Sequence, residues 1–339
     1  MRALYPMIAL FAMVCILPSC NHKDLCYDHN DHAHRYHVNV VADYRYDWEE
    51  YYGYMDWDAV WPEDYIPYDS LRPVKPSGLR VINYNQTKES NIHNIGADGG
   101  TVTLYAGYND ILFYNNDTEY IVFTRVDNGA TTRASTRSRT RATYIGNKYA
   151  NEGEETVNSP DMLYANYYEG YIAEKQEVPA DLEVTLHPLV YTYKIRYEFK
   201  EGLEYVSLAR GALSGMARSV YMNTGDTSEE PATILYDAEM TGFGARAVIR
   251  SFGIPAFPHE QYPSRSSNKH ALNLEVMLRN GKTVTFDFDV TDQVSKQPHG
   301  GVIVVKDIVV KKEDGVQGSG AFDVEVNDWG EYEDIYLPL

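Results

Sequence analysis

The chain has 339 residues and carries 49 Asp and Glu against 30 Lys and Arg, a formal charge of −19. A balance that acidic argues against nucleic acid or an anionic membrane surface as partner. The length exceeds the usual single-domain size, so two domains are expected, and 30 tyrosines with four tryptophans suggest extracellular β-structure with broad amphipathic surfaces.

The first stretch has a basic Arg2, an apolar run from Met7 to Leu17 and a small residue, Ser19, before Cys20. That is the layout of a secretory signal, and the run is shorter than the roughly 20 residues a spanning helix needs. Leu17-Pro18-Ser19-Cys20 resembles the lipobox of bacterial lipoproteins, which implies residues 1–19 as leader and an acylated amino-terminal Cys20. Several acyl chains on one residue would anchor the protein without a span. The alternative is an ordinary signal peptide with a chance cysteine. Cys15 would leave with the leader, so Cys26 alone remains and no internal disulfide is expected in the mature chain.

Residues 20–34 read as a polar tether. Five histidines fall between Asn21 and His37, and His32, His34 and His37 are candidate Zn²⁺ or Cu²⁺ ligands. Strand alternation opposes this by placing His37 on the other face from His32 and His34, so the plain reading is a solvated tether leading into a strand at 37–42.

Residues 43–69 hold ten aromatics and nine carboxylates against the single Arg45. Trp48, Tyr51, Tyr52, Trp57 and Trp61 make this a candidate sugar- or protein-binding surface, since aromatic faces stack and carboxylates accept from hydroxyls. The other reading is an insertion whose rings cover one end of a β-sandwich. Beyond Pro73 and Pro76, alternating segments at 79–84, 101–105, 111–114 and 120–123 are separated by Gly, Asn and Asp turns. Short strands so punctuated indicate an all-β sandwich, and no long helical period interrupts them.

Residues 131–143 form the one basic patch, with Arg133, Arg137, Arg139 and Arg141 among Ser and Thr. Lacking any apolar period, the patch is expected to be a mobile loop, either open to a trypsin-like protease or merely solvated. A second sandwich is expected from Ala180, with strands at 182–186, 188–199, 205–222, 234–254, 271–278, 283–290, 302–310 and 322–326, and an Asn280-Gly281 hairpin turn. The domains are then 35–179 and 180–339, with about seven strands each.

No enzymatic signature is present. Gly211-Ala212-Leu213-Ser214-Gly215 has its serine one place late for a nucleophile elbow, and no Walker loop, dinucleotide fingerprint or zincin motif occurs. Cys26 beside His29 lies in the tether, where nothing would lower its pKa. The expectation is a non-enzymatic protein without a cofactor.

The motifs Cys26-Tyr27-Asp28-His29, Gly78-Leu79-Arg80-Val81, Tyr114-Asn115-Asn116-Asp117-Thr118-Glu119, Ser159-Pro160-Asp161-Met162 and the terminal Asp323-Val324-Glu325-Val326-Asn327-Asp328-Trp329 resemble a Bacteroidales lipoprotein family of unknown function. That family is similar to the fimbrillin-associated, Mfa-like proteins of type V pili. The resemblance implies two tandem transthyretin-like (Ig-like Greek-key) sandwiches, lipid anchoring at the outer membrane, and a part in pilus anchoring, assembly or adhesion. The implied partners are fimbrillin-type subunits, met by strand pairing. Stalk subunits of that class lose their first strand to an arginine-specific protease. Here the arginines lie about 100 residues beyond it, which favours an anchor or accessory role. The alternative is a surface glycan-binding lipoprotein that uses the aromatic insertion.

Overall fold

The computed structural model describes residues 34–46, 50, 68–85, 90–257 and 268–316, with the backbone of 333–334. The chain is all-β, and its strands gather into two principal bodies.

The first five strands are β1 (Arg35–Tyr44), β2 (Gly78–Asn85), β3 (Ser90–Gly96), β4 (Gly99–Tyr105) and β5 (Gly107–Asn115). Four short ones follow: β6 (Ile121–Thr124), β7 (Arg133–Thr136), β8 (Arg139–Thr140) and β9 (Glu155–Val157). β10 (Tyr164–Ala173) and β11 (Ala180–Pro188) then join the first five in a closed barrel of order β1-β11-β10-β5-β2-β3-β4.

Period-2 patterning explains the barrel's interior. Val38 and Val40 of β1, Val102 and Leu104 of β4, and Leu182, Val184 and Leu186 of β11 all point into one core. β1 closes the barrel, antiparallel to β4 and parallel to β11 over Val38↔Ala180 to Tyr44↔Leu186. Gly99 permits that closure. Its φ is +117°, and a Cβ there would sit 2.0 Å from the carbonyl oxygen of Val40, a contact only glycine avoids.

Residues 180–188 therefore stand with the first body, one strand later than the expected break after Pro179. Their apolar face is buried in the barrel core, and their edge pairs with β1 across some 140 residues of sequence, a partner that local pattern cannot name.

The second body contains β12 (Tyr191–Glu201), β13 (Val206–Ala217), β14 (Ser219–Tyr221), β15 (Pro231–Thr241), β16 (Gly244–Ser251), β17 (Ala271–Leu278), β18 (Thr283–Asp289) and β19 (Gly301–Val309). Its sheet runs β18-β17-β13-β15-β16-β12-β19, with β9 pairing β15 off that path. β15 turns the corner: its first part pairs with β13 and its last residues pair with β16, as strands at sandwich corners do. The two layers enclose one large core, and Tyr197 spans it from β12. Its hydroxyl meets Tyr236 Oη of β15 at 2.7 Å and donates to the Asn273 carbonyl of β17 at 3.2 Å. The strand expected at 322–326 lies outside the described residues. At 333–334 a two-residue strand, β20 (Glu333–Asp334), pairs with β8. Among the described residues no helix is long and apolar enough to cross a membrane.

Candidate functional site

The two bodies are fused by a third apolar cluster. Ile82, Leu112 and Tyr114 from the outside of the barrel meet Val220, Met222 and Phe252 of the second body, with Leu163, Leu189 and Val190 between them. A continuous apolar junction of this kind opposes the relative motion expected of loosely linked domains.

The arginine patch is part of this fusion, which corrects the expectation of a mobile loop. Arg133 lies in β7, whose partners are β6 and β14; its guanidinium covers the Tyr221 ring at 4.2 Å and donates to that hydroxyl. Residues 137–158 then form a strap across the second body. Arg141 is buried and donates to the Gly211 carbonyl and to Asn273 Oδ1, both at 3.3 Å. Asn147 Nδ2 donates to the Leu272 carbonyl at 2.9 Å. Glu154 Oε2 accepts from the Gly215 amide at 2.9 Å and from Thr233 Oγ1 at 2.7 Å. Beneath the strap, Arg210 and Glu275 form a buried ion pair, and Thr143 Oγ1 donates to Glu275 Oε1 at 3.0 Å. Polar residues are buried here because each finds a fixed partner. Their periodless polar sequence reads as a loop for the same reason: those partners lie 61 to 132 residues away.

A consequence is that trypsin acting on the native protein should spare 137–141 and cut there only after unfolding. Early fragments ending at Arg137, Arg139 or Arg141 in native buffer, read by mass spectrometry, would show the strap to be open.

Beside the apolar junction is a groove of about 360 Å³. One wall is the start of β10 and the end of β11, through Asn166, Tyr167 and His187; the other is the turn after β14, through Asn223 and Thr224. Pro188, Leu189, Tyr191 and Met222 contribute apolar surface. Glu50, at the foot of the aromatic-acidic insertion, approaches His187 Nδ1 at 3.2 Å. Asn166 Nδ2 is tied to the Thr185 carbonyl at 2.9 Å. His299 lies against the Tyr191 ring at 4.6 Å and the Phe257 ring at 4.7 Å. Burial pushes its pKa down to about 4, so the ring is neutral at physiological pH. Asn223 Oδ1 is buried with no hydrogen-bond partner.

The structure brings few of the sequence candidates to this place. His37 is exposed on the outer side of β1, its Nδ1 3.4 Å from Thr103 Oγ1, and His34 is exposed in the turn before it. His32, Cys20, Trp48, Tyr51, Tyr52, Trp57 and Trp61 lie outside the described residues. Among the described residues no three His, Cys, Asp or Glu side chains converge as metal ligands. Ser214, considered for a nucleophile elbow, is fully buried and accepts from Thr233 Oγ1 at 3.0 Å. Sequence reasoning missed Asn166, His187, Asn223 and His299, which belong to separate strands and turns and share no motif.

Residues 68–237, half of the chain, match a domain of unknown function, DUF5119. The chain belongs to this family. The matched span runs from before β2 into β15, so it includes most of the barrel, the strap and both walls of the groove, while Glu50 and His299 fall outside it. No curated protein matches the sequence. A crystal structure of a candidate adhesin from Bacteroides ovatus aligns with a TM-score of 0.56 and 20% identity, covering 88% of this chain and 98% of that one; this likeness establishes a shared fold. The fimbrial anchor protein Mfa2 of Porphyromonas gingivalis aligns with a TM-score of 0.42 and 11% identity over 80% of this chain and 91% of that one. A fimbrial assembly protein of Parabacteroides distasonis aligns at 0.32 and 10% identity over 80% and 90%.

Proposed function

We propose that this DUF5119 chain is a non-enzymatic cell-surface lipoprotein, anchored through acylated Cys20 at the outer membrane, that joins β-rich subunits in fimbria-like assembly or adhesion. The observation that carries the reading is the contrast between a first strand locked into a closed barrel and a sandwich with terminal strands. In the barrel β1 is paired along its length with β4 on one side and β11 on the other, so exchange of that strand would first require its withdrawal from both. Among the described residues the sandwich ends in β18 and β19, and an unpaired edge is a template for a partner strand.

Of the two, β18 is the better acceptor. It keeps regular register with β17 over seven residues and contains neither Pro nor Lys, the usual blocks to edge pairing. β19 has two register shifts against β12, carries Lys306 and has Asp307 at φ +60°. A closed barrel and a strap that sequesters the arginines both support an anchor or accessory role over that of a subunit that sheds its first strand. The candidate adhesin from Bacteroides ovatus, which shares nearly the whole fold, supports the adhesion side of the reading.

The test combines fractionation with amide exchange. Wild type should sediment with outer membranes and Cys20→Ala should be released. Material isolated with β-rich surface subunits should show slowed exchange at 283–289 relative to the free protein. Equal release of both forms, or a complex with unchanged exchange across β18, would overturn the respective half of the proposal.

A further inference from the structure

The groove at the junction has a chemistry that the assembly reading does not use, and it would function whether or not the chain enters a fimbria. We infer that this groove binds one or two sugar rings of an uncharged saccharide.

Its charge supports this class. No Lys or Arg is among the lining residues, and the one carboxylate, Glu50, lies against His187. Phosphates, sulfates and uronates would meet no lysine or arginine there and would also face a chain of net charge −19. An imidazole kept neutral by burial, that of His299, adds polarity without adding a positive charge.

The arrangement of polar and apolar groups supports the same class. A sugar ring presents hydroxyls around its rim and C–H groups on its faces. The groove sets amide, hydroxyl, imidazole and carboxylate groups (Asn223, Thr224, His187 and Glu50) beside the apolar surface of Pro188, Leu189, Tyr191 and Met222. Aromatic and aliphatic surface takes the C–H face, while the polar groups fix orientation. Asn223, a lining residue, also has an Oδ1 with no hydrogen-bond partner. An acceptor without a donor costs about 1–3 kcal/mol, so a ligand hydroxyl brought within its reach would be favoured.

Size and rigidity complete the argument. About 360 Å³ lies at the small end of the roughly 300–1,000 Å³ of small-molecule sites. Both walls rise from the ends of strands fixed by the same buried cluster, so little ordering is needed when a ligand enters.

The experiment is titration of the full mature protein with neutral mono- and disaccharides of glucose, galactose, mannose and N-acetylglucosamine, followed by calorimetry. Sialyllactose and a uronic disaccharide serve as charged counterparts, and an extended polar peptide as a non-sugar probe. A neutral sugar should saturate with Kd of ~1 mM or tighter, and Asn223→Leu, which preserves side-chain size but removes the acceptor, should weaken it about tenfold or more. The thermal midpoint of that variant should equal or exceed wild type, because it removes an unsatisfied polar atom. Should Asn223→Leu fail to fold, Thr224→Val at the exposed rim tests the same contact surface. Saturation by none of the neutral sugars, tighter binding of the charged sugars or the peptide, or undiminished binding by the folded variant would each overturn the assignment.

Discussion

Truncation of Glu275 to alanine is expected to cost the native state about 3–5 kcal/mol. Glu275 is 2% exposed and faces Arg210 directly across the β13–β17 ladder. Arg210 Nε donates to Glu275 Oε1 at 2.8 Å, and the strap residue Thr143 donates to the same oxygen. Removing the carboxylate takes the directly facing counter-charge away from a buried guanidinium, which is the expensive way to break an ion pair. Denaturant unfolding should show a lower midpoint with an unchanged slope. The double variant Arg210→Met with Glu275→Leu should recover most of the loss, since the charge to be compensated is gone. The same single variant should let trypsin reach Arg141 in native buffer, because Glu275 helps hold Thr143 in place. A loss below about 1 kcal/mol, the value of an exposed pair, would mean that water reaches the site.

The second large effect is acid lability. His270 is fully buried, and neither ring nitrogen has a hydrogen-bond partner. The neighbouring Gly215 amide is already donated to Glu154. Burial pushes the His270 pKa down from 6.5 to about 4, and the nearby Asp289 only partly opposes this. Above pH ~6.5 the ring is neutral in folded and unfolded chains alike, so it contributes no pH dependence there. As pH falls from ~6.5 towards 4, the unfolded chain takes up a proton that the folded chain refuses, and stability declines. A difference of that size corresponds to about 3 kcal/mol. His299, also depressed to about 4 by burial, adds to the decline in the same direction. His270→Phe should flatten the slope of unfolding free energy between pH 6.5 and 4 while leaving the His299 part. A slope identical to wild type would place the acid sensitivity elsewhere.

Patterns of short range were legible in the sequence. The alternation of 79–84, 101–105 and 182–186 places valines and leucines on one face, and each of these segments lies in a strand with that face buried. The Asn280-Gly281 turn connects β17 to β18. Both signals are local, because side-chain period and turn torsions depend on a few adjacent residues. The arginine patch failed for the opposite reason: Arg141 and Thr143 show no period, and what holds them is Gly211, Asn273 and Glu275. Polar residues that bury themselves against distant polar partners look, in isolation, like residues made for water.

Hydrophobic alternation, charge and short motifs act within a few residues, so the all-β class, most strand positions, the acidic balance and the family resemblance were readable from the chain alone. Tertiary structure alone decided three other things. It closed the first body into a barrel by pairing β1 with β11, turned the arginine segment into a strap, and assembled a groove from Asn166, His187, Asn223 and His299. Each joins residues far apart in the chain, and such contacts form only when the burial of three separate apolar clusters offsets the entropy of bringing them together.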